Sequence, residues 1–244
     1  MLPAAYKERL GIMPNRVKNK RGGLGTALIL IGLLCFVGAA GFTAYNYWDS
    51  ARAEKASYEI VQKLDQYMEE IQPETDLSDP ASTTANATAE GQTGRKPRTD
   101  VSYREMHTVE IDGYLYIGEL EIPSLSLTLP VMQKWDYERL KISPCRYSGS
   151  YNTDDLVICA HNYARHFSPI KGISMGADVW FVTVDCERIL YITSNIQTIQ
   201  PTSVDEMVSN DRNSLTSNNS WDLTLFTCNT GGMTRCAIRC TRTE

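Results

Sequence analysis

Three side chains in this 244-residue chain could together carry out acyl transfer: the thiol of Cys228, the imidazole of His161 and the guanidinium of Arg235. A thiolate is the competent form of a cysteine nucleophile, and a nearby cation favours it. A thioester intermediate divides one hard amide exchange into two easier steps. An imidazole can carry the proton to a leaving amine and take it from an incoming one. A guanidinium stays charged and offers several donors, so it suits a carbonyl oxygen that is gaining negative charge. The chain has only three histidines, His107, His161 and His166, which narrows the choice of base.

These residues must be brought together by strands. His161 follows the apolar run Leu156–Ala160, and Cys228 ends the run Leu223–Thr227. Two side chains at strand ends can meet at one rim of a barrel or sandwich. After Cys228 come turn residues 229–234 and a final strand, Arg235–Cys240. A hairpin there sets Arg235 across from Cys228. Arg239 lies on the same face but roughly 13 Å further along, so the chemistry is assigned to Arg235. Taken singly, each residue has a plain structural reading: a core cysteine, a core histidine or a solvated strand-edge arginine. Thr227 and Asn162, the neighbours of Cys228 and His161, are candidate substrate-binding residues. Thr227 could equally orient the thiol or be a simple strand threonine, and Asn162 could fix the imidazole or cap a turn. His166 reads as a surface residue.

From about Tyr103 onward, short strand-like runs alternate with turn residues: TVEIDGYLYIGELEI, LTLPVM, DLVICAHN, VWFVTV, ILYITS, LTLFTC and RCAIRC. Such spacing predicts an all-β barrel or sandwich over 103–244. Short helices are expected at 137–141 and 203–209. No internal repeat is evident.

The first hundred residues differ in character. Residues 1–23 carry six Lys or Arg against one acid, so the chain's net charge of −5 leaves about −10 beyond Gly23. An acidic body argues against a nucleic-acid partner. Leu24–Tyr45 contains no charged residue, and 22 helical residues span about 33 Å, enough for a bilayer core. The expected organisation is a basic cytoplasmic tail (1–23), a transmembrane signal anchor (24–48), a juxtamembrane helix and polar linker (49–102), and a catalytic barrel (103–244). The positive-inside rule puts the N-terminus in the cytoplasm and the barrel outside. A cleaved signal peptide would have a shorter apolar core. In the juxtamembrane segment Ile60, Val61, Leu64, Met68 and Ile71 fall on one helical face; that face could lie on the barrel or pair with a second copy. Residues 72–102 are too polar to pack.

The segment Thr224-Leu225-Phe226-Thr227-Cys228 resembles the TLxTC signature of sortases, and VICAHN (157–162) is similar to the segment that carries the sortase histidine. The likeness extends through IGELEIPSLSLTLPVM, DYERLKISPCRYSGS and GADVWFVTVDCERILYITS, covering about residues 113–242 with His, Cys and Arg in family order. The resemblance implies a closed eight-stranded sortase-type β-barrel with short helices. It also implies a membrane-anchored cysteine transpeptidase that cleaves a C-terminal sorting signal, often LPxTG-like, of secreted proteins. Carried over, Cys228 forms the thioester, His161 moves the protons, and Arg235 holds the substrate or its oxyanion. The acceptor would be an amine of a cell-wall precursor or a pilin lysine. The alternatives are a cysteine protease that hydrolyses the same signal and a non-catalytic envelope peptide-binding or scaffold protein.

No cofactor is implied, and the acidic residues form no calcium-loop motif. Asp79-Pro80 is followed by Ala81, which disfavours the lid found in one sortase class, and the short TCNTGGMTR turn is class-B-like. Of the remaining cysteines, Cys236 and Cys240 are expected to face the barrel interior with Ile238, Cys159 to fill the core, and Cys145 and Cys186 to lie in turns. A disulfide between any two of them stays open, since the sequence does not choose.

Overall fold

The computed structural model describes residues 22–71, 105–208 and 221–243. The basic tail up to Arg21, the polar linker and the end of the expected 203–209 helix lie outside them. The chain divides into two compact units, Met1–Trp48 and Asp49–Glu244. Helix α1 (Gly22–Ile71) begins in the first. There its large apolar side chains, Leu28, Ile29, Leu34 and Phe36 among them, are exposed. An 18-residue window reaches a mean hydropathy of 2.3, so by length and composition this stretch can cross a membrane.

Among the described residues of the second unit nine strands follow: β1 (Val109–Ile111), β2 (Tyr114–Ile122), β3 (Leu127–Met132), β4 (Cys145–Ser148), β5 (Leu156–Cys159), β6 (Asp178–Thr183), β7 (Arg188–Ile199), β8 (Leu223–Cys228) and β9 (Arg235–Arg242). Two short helices, α2 (Tyr137–Leu140) and α3 (Val204–Val208), interrupt them. Their hydrogen-bonded order is β1-β2-β3-β4-β5-β8-β9-β7-β6, and β6 pairs back onto β2. Eight strands therefore form a closed ring, with β1 attached outside it as a hairpin arm. Closure leaves no open edge on the ring.

Local chemistry accounts for the main turns. Asp112 and Gly113, at φ 52° and 81°, form the two-residue turn between β1 and β2, the left-handed pair such hairpins favour. Gly118 sits at the irregularity in β2 where β6 closes the ring. A Cβ there would lie 2.1 Å from the Val182 carbonyl oxygen, at a φ of 147°, so only glycine permits this approach.

Strand alternation sorts the apolar residues into two cores. Leu156, Ile158, Leu223, Leu225, Cys236, Ile238 and Cys240 fill the barrel interior with Ile117, Leu120 and Phe181. Val157, Cys159, Phe226 and Ala237 point outward into a second core with Tyr116, Met132 and Cys145. Helix α1 covers that second core. Ala53, Ser57, Ile60 and Leu64 form its buried stripe, at alternating four- and three-residue spacing. The stripe begins further upstream than the periodicity suggests, and Ile71 is exposed. Of the two expectations for this helix, packing on the barrel is what the structure shows. Ser57 donates to the Ile142 carbonyl at 2.8 Å, and Lys63 pairs with Asp112 at 2.6 Å.

Three sequence-based assignments are corrected here. Cys145 opens β4 and is buried rather than lying in a turn, because its thiol fills the outer core. His166 is fully buried beneath α1 rather than on the surface. Arg239 is no solvated strand edge: it is 0 % exposed. Its guanidinium donates to the carbonyls of Glu206 and Met207 in α3 and to the Thr224 hydroxyl, and it lies 4.3 Å from the Trp221 ring centroid. The arginine replaces the solvation it loses with these partners.

Candidate active site

The pairing of strands β5, β8 and β9 positions the candidate residues. β5 and β8 run parallel, with Cys159 opposite Phe226, so their C-terminal ends emerge at the same rim. His161 leaves β5 there, and Cys228 ends β8 there. β8 and β9 are antiparallel, and Cys228 and Arg235 are direct Cα partners. Alternation puts Cys228 on the outer face with Phe226, and Arg235 on that face with Ala237. His161 continues the outer series Val157 and Cys159. All three are partly exposed.

The β8–β9 connection is held by short bonds. The Asn229 amide donates to the Thr234 carbonyl at 2.9 Å, and the Asn229 side-chain amide donates to the Thr234 hydroxyl at 2.8 Å. Gly231 and Gly232 both take positive φ. Arg235 Nη1 donates back to the Gly232 and Thr234 carbonyls at 2.9 and 3.2 Å, which holds the guanidinium near the start of β9.

Thr227 is 1 % exposed. Its hydroxyl donates to the Ala160 carbonyl at 2.9 Å, so it ties β8 to the residue before His161. Asn162 accepts from Lys171 Nζ at 2.5 Å, fixing the loop just beyond the imidazole.

Four other cysteines, Cys145, Cys159, Cys236 and Cys240, are buried. Burial pushes the Cys145 and Cys240 thiols up to about 12. It also raises Cys159 well above its ordinary value, with Cys145 and Cys228 adding to the shift, and raises Cys236. Such thiols stay protonated and behave as packing groups. Cys228 instead stands half-exposed at a strand end.

His161 has neighbours that sequence spacing did not indicate. The Tyr163 ring lies 5.0 Å from the imidazole, centroid to centroid. The Tyr163 hydroxyl donates to the Asp49 carboxylate at 2.5 Å. Burial lowers the His161 pKa, Asp49 opposes that shift, and Lys141 reinforces it. Tyr163 could have been noticed as the residue two beyond His161. Nothing in the linear sequence connects Asp49 with position 161. Among the described residues no three His, Cys, Asp or Glu side chains cluster as a metal site.

The described residues thus form a closed eight-stranded barrel that sets His161, Cys228 and Arg235 at neighbouring ends of β5, β8 and β9. The sortase domain model matches residues 120–243, half of the chain, and the chain belongs to the sortase family. No curated protein matches it. Among solved structures it is similar to sortase A from Corynebacterium diphtheriae, at 19% identity over 54% of this chain and 62% of that one, with a TM-score of 0.46. Sortase C1 from Streptococcus suis matches at 23% identity over 53% and 73%, TM-score 0.43. Sortase C1 from Streptococcus agalactiae matches at 21% over 55% and 71%, TM-score 0.45. The match thus spans less than two thirds of the Corynebacterium protein.

Proposed function

We propose that this chain is a membrane-anchored cysteine transpeptidase that cleaves a C-terminal sorting signal on secreted proteins. The observation that supports this most is the shared outer rim of β5, β8 and β9, which holds His161, Cys228 and Arg235. The Cys228 thiolate attacks the carbonyl carbon before the scissile bond. The tetrahedral oxyanion collapses, the C–N bond breaks, and the leaving amine takes a proton from the His161 imidazolium. The thioester is then attacked by an acceptor amine, whose proton passes to His161 as the thiolate leaves. Arg235 is the donor fork for the substrate carbonyl or the oxyanion. Thr227 and Asn162 act next to these groups: Thr227 sets the strand register behind the thiol, and Asn162 holds the loop that follows the imidazole.

The apolar part of α1 anchors the enzyme, with the N-terminus in the cytoplasm and residues 49–244 outside. The acceptor is an amine of a cell-wall precursor or of a pilin lysine. The test incubates the full chain in detergent micelles with LPxTG-like peptides, with and without an amine acceptor. A ligated product that disappears in Cys228→Ala supports transpeptidation. Hydrolysis alone, whatever the acceptor, points to a protease. Peptide binding without cleavage points to a scaffold.

A further inference from the structure

Residues of α1 reach the candidate active site through an unbroken set of side-chain contacts. Asp49 accepts the Tyr163 hydroxyl at 2.5 Å. The Tyr163 ring centroid lies 5.0 Å from that of His161 and 5.5 Å from that of His166. His166 is itself clamped to α1. The Ser57 hydroxyl has one proton, and it goes to the Ile142 carbonyl at 2.8 Å. The 3.0 Å contact between Ser57 Oγ and His166 Nε2 is therefore donated by the histidine. The Ala53 carbonyl, 3.4 Å from the same nitrogen, agrees with that tautomer. The His166 ring is thereby held against α1, and Tyr163 packs against both it and His161.

The geometry points to Asp49 and Tyr163 as positioning residues for His161, supplied in part by the helix that follows the apolar anchor. This rests on the reading of His161 as the proton carrier. Tyr163 gives the imidazole a flat surface that limits its ring orientations. Asp49 gives it a nearby negative charge and at the same time fixes the Tyr163 ring.

The charges around His161 decide the direction of the effect. Asp49 favours the imidazolium, whereas burial and Lys141 disfavour it. The Tyr163 hydrogen bond and Arg52 hold Asp49 below the ordinary carboxylate range, so it is ionised at neutral pH. Arg52, 2.9 Å from Asp49, offsets part of that charge. Burial pushes His166 down to about 4, so at neutral pH it adds no positive charge. Lys171 is engaged with Asn162. Removing the Asp49 charge therefore shifts His161 toward the neutral form.

The test uses the full chain in detergent micelles with labelled histidine. Three imidazole signals are expected, and His161→Gln identifies its own by its loss. In Asp49→Asn the His161 titration midpoint should fall by about half a pH unit or more, and the alkaline limb of kcat/KM should move the same way. Tyr163→Ala should lower kcat by about tenfold with little change in KM, as expected when orientation is lost. Tyr163→Phe, which keeps the ring, should restore most of that loss. An unmoved midpoint in Asp49→Asn, or wild-type kcat in Tyr163→Ala, would overturn the proposal. If the His161→Gln chain still ligated peptides, the proton-carrier reading would fail instead, and the titration shift would still report on Asp49.

Discussion

The Thr227 hydroxyl donates to the Ala160 carbonyl, so the residue before the cysteine is tied to the residue before the histidine. This side-chain bond supplements the parallel β5–β8 ladder at the point where backbone pairing ends. Thr227→Val keeps the shape and removes the donor. It should cost about 1–3 kcal/mol, the usual penalty for leaving a buried acceptor unsatisfied, and lower kcat more than it raises KM. Thr227→Ser should stay close to wild type. Denaturant unfolding and steady-state kinetics check both.

Arg235 and Arg239 share a strand face but should fail in different ways. Arg235→Lys keeps the charge and loses the planar fork, so kcat/KM should drop by about 10–100-fold with the fold intact. Arg239→Leu leaves the Glu206 and Met207 carbonyls and the Thr224 hydroxyl without their donor. It should lose about 3 kcal/mol or more of stability. Circular dichroism melts alongside peptide cleavage separate the two outcomes.

Glu119 is 2 % exposed, and its Oε1 has no hydrogen-bond partner. Burial pushes its carboxyl up to about 8, with Asp65 and Glu121 adding to the shift. The folded pKa exceeds the unfolded one, so this group's contribution is fully present below about 4.5. It is lost as pH rises through about 8. Glu119→Gln should therefore stabilise the barrel at pH 8 and leave it nearly unchanged at pH 4. Melting temperature should rise by about 2–4 °C per kcal/mol relieved, and a flatter pH–stability curve is the measurement to make.

Leu64 belongs to both the helix stripe and the outer core. Leu64→Ala should destabilise the Asp49–Glu244 unit by about 2–5 kcal/mol through the cavity it leaves. Val61→Ala, at a position only half-buried, should cost markedly less. Urea unfolding of the two variants gives the comparison, and equal losses would mean that α1 does not contribute to this core.

Much of this arrangement was legible in the chain because strands have a period of two. The outer series leading to His161, Cys228 and Arg235 follows from alternation, and Asp112-Gly113 marks its own hairpin. The arrangement of burial on α1 was harder to read: Ala53 and Ser57 carry no strong apolar signal, although the barrel covers both. His166 read as a surface residue because the hydroxyl and carbonyl that contact its Nε2 come from a distant helix. Arg239 could not be told from a surface arginine, since its partners lie in α3 and on Trp221. Long-range polar partners have no periodicity, so Asp49 beside Tyr163 could only be found in three dimensions.

The side-by-side ends of β5 and β8 make the site an all-or-none arrangement. Slipping either strand by one residue would turn its outer side chains inward, bringing Thr227 to the surface in place of Cys228. No partly misaligned state lies between the two registers. Strand substitutions that weaken the barrel should therefore reduce the fraction of molecules that can be titrated with a thiol-directed label at Cys228. In an unlabelled portion of the same sample, turnover per titratable Cys228 should stay at the wild-type rate.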